Sequence, residues 1–303
     1  MKPKVYIDGK EGTTGLQIYE RLGKRQDIEL LLIDEADRKD ISRRGEFINS
    51  ADMVFLCLPD DAAREAVRLI GNPAVRVIDA STAHRTAEGW VYGFPELSEA
   101  QRESIKQARF VANPGCHASG VIALLFPLIT RGLVPADYPF AITSLTGYSG
   151  GGKGMITRYE APERPEEYRA PRLYGLSMAH KHIPEIVAMT GLAAPPAFTP
   201  VIGDYYCGME IIIPLHRRLI RAGKAEVLEA LRGHYAGSRF IRVAETPPDS
   251  AYLPSNAFAG TDDMELCVSG SEAIMLLIAR FDNLGKGASG AAVQNMDLML
   301  GLQ

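Results

Sequence analysis

Short apolar runs alternate with amphipathic segments over the first 115 residues of the chain. Continuous apolar runs that are joined by helices are typical of a parallel sheet covered on both faces. With right-handed crossovers, this pattern predicts an α/β, doubly wound Rossmann-type fold. The predicted strands are residues 4–8, 28–33, 53–58, 75–80 and 109–112, and the predicted helices are residues 13–22 and 61–70.

A different pattern follows Cys116. The apolar segment 117–129 predicts a helix, and FAITSLT at 140–146 alternates as a half-buried strand does. A loop at 160–171, rich in Pro, Glu and Arg, is either a lid or a mobile segment. The pattern predicts a second, α+β domain with a mostly antiparallel sheet. Its further strands are predicted at 208–214, 241–243, 265–269 and 273–281, and helices at 224–236 and 288–302.

Composition excludes several classes of protein. Of the 303 residues, 46% are hydrophobic and 23% charged, which indicates a folded protein with a real core. The formal net charge of -4 and the lack of a long basic stripe argue against a nucleic-acid partner. No apolar run is long enough to span a bilayer, so we expect no membrane association. The four cysteines are scattered without a C-x-x-C pair, which predicts a reduced, cytoplasmic protein without a metal site.

A glycine-rich turn follows the first predicted strand. It places Gly9, Gly12 and Gly15 three residues apart, with Thr13 and Thr14 between the last two. Such glycines let a dinucleotide pyrophosphate approach the N-terminus of the next helix, where N–H groups and the helix dipole favour anions. The spacing differs from the common G-x-G-x-x-G, and a plain strand-to-helix turn is the alternative. Its position after the first strand favours the cofactor interpretation.

The choice of dinucleotide stays open at this point. Asp34 follows the second predicted strand, where an acidic residue often holds the ribose hydroxyls of NAD. Basic side chains follow closely and could hold the 2′-phosphate of NADP, or simply form a solvated loop. These residues are Arg38, Lys39, Arg43 and Arg44.

The segment N-P-G-C-H-A-S-G at residues 113–120 carries the sharpest chemical signal. Its proline and glycine shape a turn, and the apolar helix begins at or just after Cys116. A cysteine at a helix N-terminus lies in a field that favours the thiolate, which is the attacking species in covalent acyl chemistry. A buried structural cysteine is the alternative, and it suits Cys57, Cys207 and Cys267, which lie in or near strands.

Taken together, four motifs resemble those of the N-acetyl-gamma-glutamyl-phosphate reductase family, in the shorter of its two sequence types. They are N-P-G-C-H-A-S-G, G-Y-S-G-G-G-K at 147–153, H-K-H-I-P-E-I at 180–186 and D-N-L-G-K-G-A-S-G-A-A-V-Q-N-M at 282–296. The motifs run from end to end, so the resemblance covers the whole chain. The general architecture is shared with aspartate-semialdehyde dehydrogenase and glyceraldehyde-3-phosphate dehydrogenase.

The resemblance implies roles for particular residues. Cys116 matches the family's nucleophile, and its base is a histidine of the H-x-H-x-P-E segment. His180 is favoured as the partner of Cys116, although the sequence does not decide between it and His182. The resemblance, the glycine turn, the basic segment after the second strand and the position after the fourth strand, where ligands of such folds bind, together give the remaining candidates. The candidate substrate-binding residues are Arg85, Tyr148, Ser149, Lys153, His182 and Glu185, and the candidate cofactor-binding residues are Gly9, Gly12, Thr13, Thr14, Gly15, Arg38, Ser81, Thr82, Asn283, Gly287 and Gln294.

The same resemblance implies the domains and the activity. Residues 1–115, joined by a C-terminal helix at 286–303, would bind NADP, and residues 116–285 would carry catalysis, substrate binding and oligomerisation as a dimer or tetramer. The implied reaction is NADPH-dependent reduction of N-acetyl-gamma-glutamyl phosphate through a Cys116 thioester, in arginine biosynthesis. The alternatives are a reductase of another acyl phosphate, as in aspartate-semialdehyde dehydrogenase, a nucleotide-binding regulator without activity, and a Cys–His amidase.

Overall fold

The computed structural model describes residues 2–248 and 250–302. They form two compact units. Residues up to Pro114, together with those from Ala288 onward, make the first unit, and Gly115–Gly287 make the second. The chain therefore leaves the first unit just before Cys116 and returns to it just after Gly287.

The first unit is built on one parallel sheet. Its elements are β1 (Lys4–Asp8), α1 (Thr13–Leu22), β2 (Glu29–Leu31), α2 (Ile41–Ser50), β3 (Met53–Leu56), α3 (Asp60–Arg68), β4 (Arg76–Asp79), β5 (Val91–Tyr92), α4 (Glu99–Gln107) and β6 (Phe110–Ala112). The strand order is β2-β1-β3-β4-β6-β5, and each pairing is parallel. The order reverses beside β1, which creates a switch point at the carboxyl ends of β1 and β3. Ligands of doubly wound folds bind at such points.

Alternate residues of the central strands fill two separate cores. Val5 of β1 and Phe55 of β3 are fully buried on one face, whereas Tyr6 and Val54 are buried on the other. Because successive side chains of a strand point to opposite faces, an uninterrupted apolar run is what a doubly covered strand requires. The helix at the C-terminus closes the first of these cores with Met296.

The second unit is built on a mixed sheet. Its elements are α5 (Cys116–Thr130), β7 (Ala141–Gly147), α6 (Lys153–Glu160), β8 (Arg172–Leu173), α7 (Ile183–Thr190), β9 (Ala197–Gly203), β10 (Met209–His216), α8 (Lys224–His234), β11 (Ile241–Val243), β12 (Met264–Gly270) and β13 (Ile274–Phe281), and α9 (Gly290–Leu300) follows in the first unit. The strand order is β11-β12-β13-β10-β7-β9-β8. Most neighbours are antiparallel, and the pairs β11·β12 and β7·β9 are parallel.

Helix α5 lies against this sheet and is buried on nearly all sides. A Cβ atom at Gly120 would lie 2.5 Å from the Ile211 side chain on β10 and 2.6 Å from Phe281 on β13. The absence of a side chain at this position lets the helix approach the sheet closely. This packing fixes the N-terminus of α5, and with it Cys116, against the scaffold.

The predicted architecture is confirmed, whereas several elements were not predicted. Strand β1 and helix α1 coincide with the predicted 4–8 and 13–22. Helices α2 and α4 bury few apolar side chains, Ile48 in the first and Ile105 in the second, so their sequences lack an apolar stripe. Strand β9 contains Pro200, which removes a ladder donor and weakens the strand signal. The other unpredicted elements are β5, β8, α6 and α7.

Candidate active site

The glycine turn after β1 forms one wall of a cavity in the first unit. Gly9 has φ +87°, and a Cβ atom there would lie 2.5 Å from the carbonyl oxygen of Cys57, just after β3. Helix α1 begins at Thr13 after Gly12, and no side chain caps it. The hydroxyl oxygen of Thr13 is buried without a hydrogen-bond partner among the described residues. The cavity has a volume of about 520 Å³ and is lined by residues 6–12, 33, 35, 38–39, 44 and 57–59.

These features fit a dinucleotide phosphate. A cavity of this size is ordinary for a cofactor site, and a helix N-terminus without a side-chain cap offers N–H groups to an anion. Arg38 and Lys39 line the same cavity and suit the 2′-phosphate of NADP. Glu35 is also among the lining residues, whereas Asp34 is exposed and is not one of them. Thr14 follows Thr13 in the first turn of α1, and Gly15 behind it is buried.

The other two basic residues that follow β2 have partners within the protein. The Arg44 guanidinium is buried and pairs with the Asp8 carboxylate at 2.8 Å, beneath the cavity. The exposed Arg43 guanidinium pairs with Asp37 at 3.3 Å and also with Glu46. Arg38 also has an ion-pair partner, Glu35 at 3.5 Å, but both of these residues line the cavity, as Lys39 does. Arg43 is not among the lining residues, and its ion pairs lie on the surface.

A buried hydrogen-bond network holds the turn that follows β4. Asp79 is fully buried, and its carboxylate accepts the Ser81 backbone N–H at 2.9 Å and the Ser81 hydroxyl at 2.7 Å. The Nδ1 atom of His84 lies 2.6 Å from the same carboxylate, and the His84 ring stacks on Trp90 with centroids 4.1 Å apart. The Thr82 backbone N–H donates to Asp60 at 3.0 Å. Ser81 and Thr82 therefore have fixed positions at the carboxyl end of the sheet.

Two further predicted binding residues bond within the first unit. The Arg85 guanidinium donates to the carbonyl oxygens of Asn113 at 3.1 Å and Ala80 at 3.3 Å. The Gln294 amide donates to Glu96 at 2.8 Å. Arg85 thus supports the backbone that leads to the N-P-G-C segment, and contact of either side chain with a ligand stays a prediction.

Cys116 is the first residue of α5 and is partly exposed. Gly115 precedes the helix with extended backbone angles, and its N–H donates to the Glu185 carboxylate at 3.0 Å. A Cβ atom at Gly287 would lie only 2.9 Å from the Cβ atom of Cys116. The thiol is thus held at the positive end of a fifteen-residue helix, which favours the thiolate and an oxyanion nearby.

Two imidazoles lie beside the thiol. The Cys116 sulfur and one ring nitrogen from each of His117 and His182 lie within 4.8 Å of one another. Burial lowers the pKa of His117 to about 3, and the charges of His180 and Lys181 add to this effect, so the His117 ring is neutral. His182 is buried too, and its Nε2 atom lies 4.0 Å from the Glu185 carboxylate.

His180 packs against these imidazoles. Its ring centroid lies 5.1 Å from that of His117 and 4.9 Å from that of His182. Its Nδ1 atom accepts the His182 backbone N–H at 3.3 Å. Burial lowers the pKa of His180 to about 4, with a further contribution from Lys181. His180 therefore supports the segment that carries His182.

The segment at 147–153 contains three of the residues for which the resemblance implies substrate binding, Tyr148, Ser149 and Lys153. It forms a 3-10 turn over Tyr148–Gly151, and α6 follows from Lys153. Ser149 is buried, and its hydroxyl oxygen accepts the Asn283 amide at 3.0 Å. The Asn283 carbonyl oxygen accepts the Gly208 N–H at 2.9 Å, so both ends of this amide are bonded inside the second unit.

Tyr148 and Lys153 have different surroundings. Tyr148 stacks on Tyr159 with ring centroids 4.6 Å apart, and its hydroxyl donates to Glu160 at 3.3 Å. Lys153 is exposed at the start of α6. Exposure leaves the Lys153 ammonium open to solvent and anions, whereas the ring of Tyr148 is part of an aromatic stack.

Three residues beside Cys116 were not predicted. The Nδ1 atom of His117 lies 2.6 Å from the Ser144 hydroxyl, and its Nε2 atom lies 2.8 Å from the Tyr174 hydroxyl. Burial raises the pKa of Tyr174, and the nearby charge of Cys116 adds to this effect, so the phenol keeps its proton. Ser144 stands between Ile142 and Thr146 on the inward face of β7, and a polar residue among such positions is a signal that the sequence contains. Tyr174 carries no comparable signal.

Comparison with known proteins agrees with this architecture. Residues 15–108 match the family model described as "Semialdehyde dehydrogenase, NAD binding domain", and residues 116–283 match "Semialdehyde dehydrogenase, dimerisation domain". Among solved structures, aspartate semialdehyde dehydrogenase II from Vibrio cholerae superposes with a TM-score of 0.74 at 17% identity, over 99% of each chain.

Sequence relatives are closer. N-acetyl-gamma-glutamyl-phosphate reductase 2 of Pseudomonas putida is 54% identical, over 99% of this chain and 97% of its own length. The protein of the same name from Nostoc is 46% identical, over 99% and 98% of the two chains. The chain belongs to the semialdehyde dehydrogenase family and, within it, to the N-acetyl-gamma-glutamyl-phosphate reductases. None of the helices in the described part of the chain combines the length and apolar character that crossing a membrane requires.

Proposed function

We propose that the chain reduces N-acetyl-gamma-glutamyl phosphate to N-acetylglutamate 5-semialdehyde with NADPH and releases phosphate, as a step in arginine biosynthesis. The observation that carries the proposal is the position of Cys116. Its sulfur stands at the N-terminus of α5 with ring nitrogens of His117 and His182 within 4.8 Å. The substrate itself follows from the names of the relatives.

Acylation of the sulfur is the first step. The thiolate of Cys116 attacks the acyl carbon, a C–S bond forms, and the carbon–oxygen bond to phosphate breaks. N–H groups at the start of α5 stabilise the tetrahedral oxyanion that precedes this break. Phosphate leaves readily, so positioning of the acyl group matters more than proton donation. The product of this step is a thioester on Cys116.

Reduction of the thioester completes the reaction. NADPH, when bound, supplies a hydride for the thioester carbon. The C–S bond then breaks, the aldehyde leaves, and the sulfur returns to its starting form. His182 takes the thiol proton before attack and keeps the sulfur ionised between turnovers. Arg38, Lys39 and the turn at Gly9–Gly12 hold the cofactor phosphates in this proposal.

The geometry favours His182 as the partner of Cys116, where the sequence favours His180. A ring nitrogen of His182 lies within 4.8 Å of the sulfur, and the Glu185 carboxylate lies 4.0 Å from His182 Nε2. A carboxylate next to an imidazole orients the ring and stabilises its protonated form. Cys116, His182 and Glu185 would then act as nucleophile, base and positioning carboxylate.

One assay tests the activity. We expect the purified chain to oxidise NADPH when given N-acetyl-gamma-glutamyl phosphate, and to reduce NADP when given the semialdehyde and phosphate. The variant Cys116→Ser should keep its affinity for NADPH and lose both reactions, because the alcohol is a poorer nucleophile than the thiolate. Undiminished turnover in Cys116→Ser would refute the proposed chemistry.

Substrate choice is tested in the same assay. A reductase of aspartyl phosphate would share the cysteine chemistry, so both acyl phosphates are compared at equal concentration. Preference for aspartyl phosphate would contradict the proposed substrate. A chain that binds NADPH and reduces neither compound would instead be a nucleotide-binding regulator.

Assembly and location complete the proposal. We expect a cytoplasmic homo-oligomer, a dimer or a tetramer, in which the second unit provides the contact. The match of residues 116–283 to a dimerisation domain supports this expectation. Light scattering at several protein concentrations measures the mass, and a monomer at all of them would contradict it.

A further inference from the structure

The residues around Cys116 have the chemistry of a metal site. A sulfur and two imidazole nitrogens lie within 4.8 Å of one another, and these ligand types are the ones that Zn²⁺ prefers. The three residues are 116, 117 and 182, so their spacing in the sequence matches no zinc motif, and the sequence predicts no such site. His182 immediately precedes α7, and the fold of the second unit brings it to the other two ligands.

We propose that Zn²⁺ binds reversibly to Cys116, His117 and His182 and that the bound ion inhibits the enzyme. The inhibition rests on the function proposed above, whereas the binding does not. In a tetrahedral zinc site, neighbouring ligand atoms are about 3.3–3.6 Å apart. The ligand atoms therefore need to move by only about 1 Å, which side-chain rotation can supply.

The surroundings of the two imidazoles, His117 and His182, are compatible with zinc binding. The imidazole of His117 is buried among the second unit's side chains, and a ring nitrogen without a proton is the atom that coordinates a metal. It is bonded to Ser144 on one nitrogen and to Tyr174 on the other, so exchange of one bond for the ion leaves the other to hold the ring. The Glu185 carboxylate stands 4.0 Å from His182 Nε2, which is about 1 Å longer than the hydrogen bond of a carboxylate–histidine–zinc arrangement.

Binding would block the reaction at its nucleophile. The Cys116 thiol loses its proton to solvent as the Zn–S bond forms, and the coordinated sulfur can no longer attack an acyl carbon. His182 is engaged by the same ion and can no longer accept a proton. Three protein ligands leave the fourth position of a tetrahedral ion to water. Removal of the ion by a chelator should restore the thiol.

Metal affinity is measured directly on the full chain by competition with a chromogenic chelator. We expect one Zn²⁺ per chain. Cys116→Ser and His182→Asn should each weaken binding by more than the roughly 10- to 100-fold that loss of an outer ligand partner costs. Cys207→Ser is the matched control, since Cys207 is also partly exposed in the second unit and lies outside the cluster. The affinity of Cys207→Ser for Zn²⁺ should equal that of the unmodified chain.

Two readouts independent of turnover complete the test. Co²⁺ in place of Zn²⁺ should give a thiolate charge-transfer band that Cys116→Ser lacks. Zn²⁺ should slow alkylation of Cys116 by iodoacetamide, measured by mass spectrometry, and leave alkylation of Cys207 unchanged. Equal affinity in Cys116→Ser, or binding without loss of NADPH oxidation, would overturn the proposal. If the chain proves inactive on both acyl phosphates, the affinity and alkylation data still decide whether the metal site exists.

Discussion

Gly287 lies directly against Cys116: a Cβ atom at Gly287 would be 2.9 Å from the Cβ atom of the cysteine and 3.0 Å from the carbonyl oxygen of Asp282. Both distances are shorter than ordinary van der Waals contacts of a Cβ atom. When a side chain is added at Gly287, either Gly287 itself, Cys116 or the Asp282 carbonyl must move. The carbonyl is part of the backbone and therefore moves less readily than a side chain. The sequence predicts a cofactor role for Gly287, and its contact with the nucleophile gives it a second reason to be glycine.

Gly287→Ala should lower kcat by up to about a hundredfold, because the added methyl group displaces Cys116 or its neighbours and a displacement of about 1 Å at a reacting group has an effect of that size. The control is Gly154→Ala on α6, where a Cβ atom would meet no neighbour within 4 Å. This control should retain full turnover and gain slightly in stability from its higher helix propensity. The measurement is kcat together with the thermal midpoint of both variants. Equal kcat for both variants would contradict the interpretation.

The two histidines of the H-x-H segment should differ in their effects. His182→Asn should reduce kcat by about 10²–10⁴-fold, the usual contribution of a general base. His180→Asn should have a smaller effect, because His180 acts on the reaction through the His182 backbone. Steady-state kinetics and the pH profile of Cys116 alkylation are measured for each. A larger loss in His180→Asn would return the role of base to His180.

The dinucleotide cavity makes a prediction about cofactor choice. Arg38→Ala should weaken NADPH binding by about tenfold or more and leave NADH binding nearly unchanged, since a charged hydrogen bond to the 2′-phosphate is lost. Arg43→Ala is the matched control, because its guanidinium pairs with Asp37 and Glu46 on the surface. Isothermal titration calorimetry measures the affinities of each variant and of the parent chain for NADPH and for NADH. Parallel losses for NADPH and NADH in Arg38→Ala would exclude this role.

Glu210 should make stability depend on pH. Burial raises its pKa from 4.5 to about 7, against the opposing charge of Arg280. Since the folded pKa is the higher one, the folded protein keeps a proton that the unfolded chain releases between these values. The contribution of Glu210 is therefore greatest below pH 4.5 and falls as pH rises through 7.

Glu210→Gln should remove this dependence, because glutamine resembles the protonated carboxyl group. Relative to the parent chain, the variant should gain up to ~3 kcal/mol in free energy of unfolding between about pH 5 and pH 8. Urea titrations at both pH values measure the gain. Glu272→Gln, an exposed glutamate of the same unit, should follow the parent at both. If the free energy of unfolding of Glu210→Gln changed with pH in the same way as that of the parent chain, the expected shift in the pKa of Glu210 would be wrong.

The sequence predicted those parts of the site that depend on local patterns. The apolar run 4–8 and the glycines after it specify strand β1, the turn and α1 within one stretch of chain. Cys116 stands out for a related reason, since proline and glycine precede it and an apolar helix follows. In each case neighbouring residues determine the conformation, so periodicity and turn chemistry suffice.

The parts that the sequence did not predict depend on pairing over long distances. The bond from Gly115 to Glu185 joins residues 70 positions apart, and the bond from His117 to Tyr174 spans 57. The amide of Asn283, for which a cofactor role stays a prediction, connects Ser149 to Gly208. Such bonds arise when the sheet of the second unit assembles, and no local pattern encodes them.

The stacking of Trp90 on His84 has an optical consequence. The chain contains a single tryptophan, so its indole emission originates from one place, the network around Asp79 that fixes Ser81 and Thr82. Contact with an imidazole changes the fluorescence of an indole. A ligand that shifts this turn would therefore change the emission wavelength or intensity of the protein's intrinsic fluorescence. The fluorescence of Trp90 would thus report ligand binding at the carboxyl end of β4 without an added dye or label.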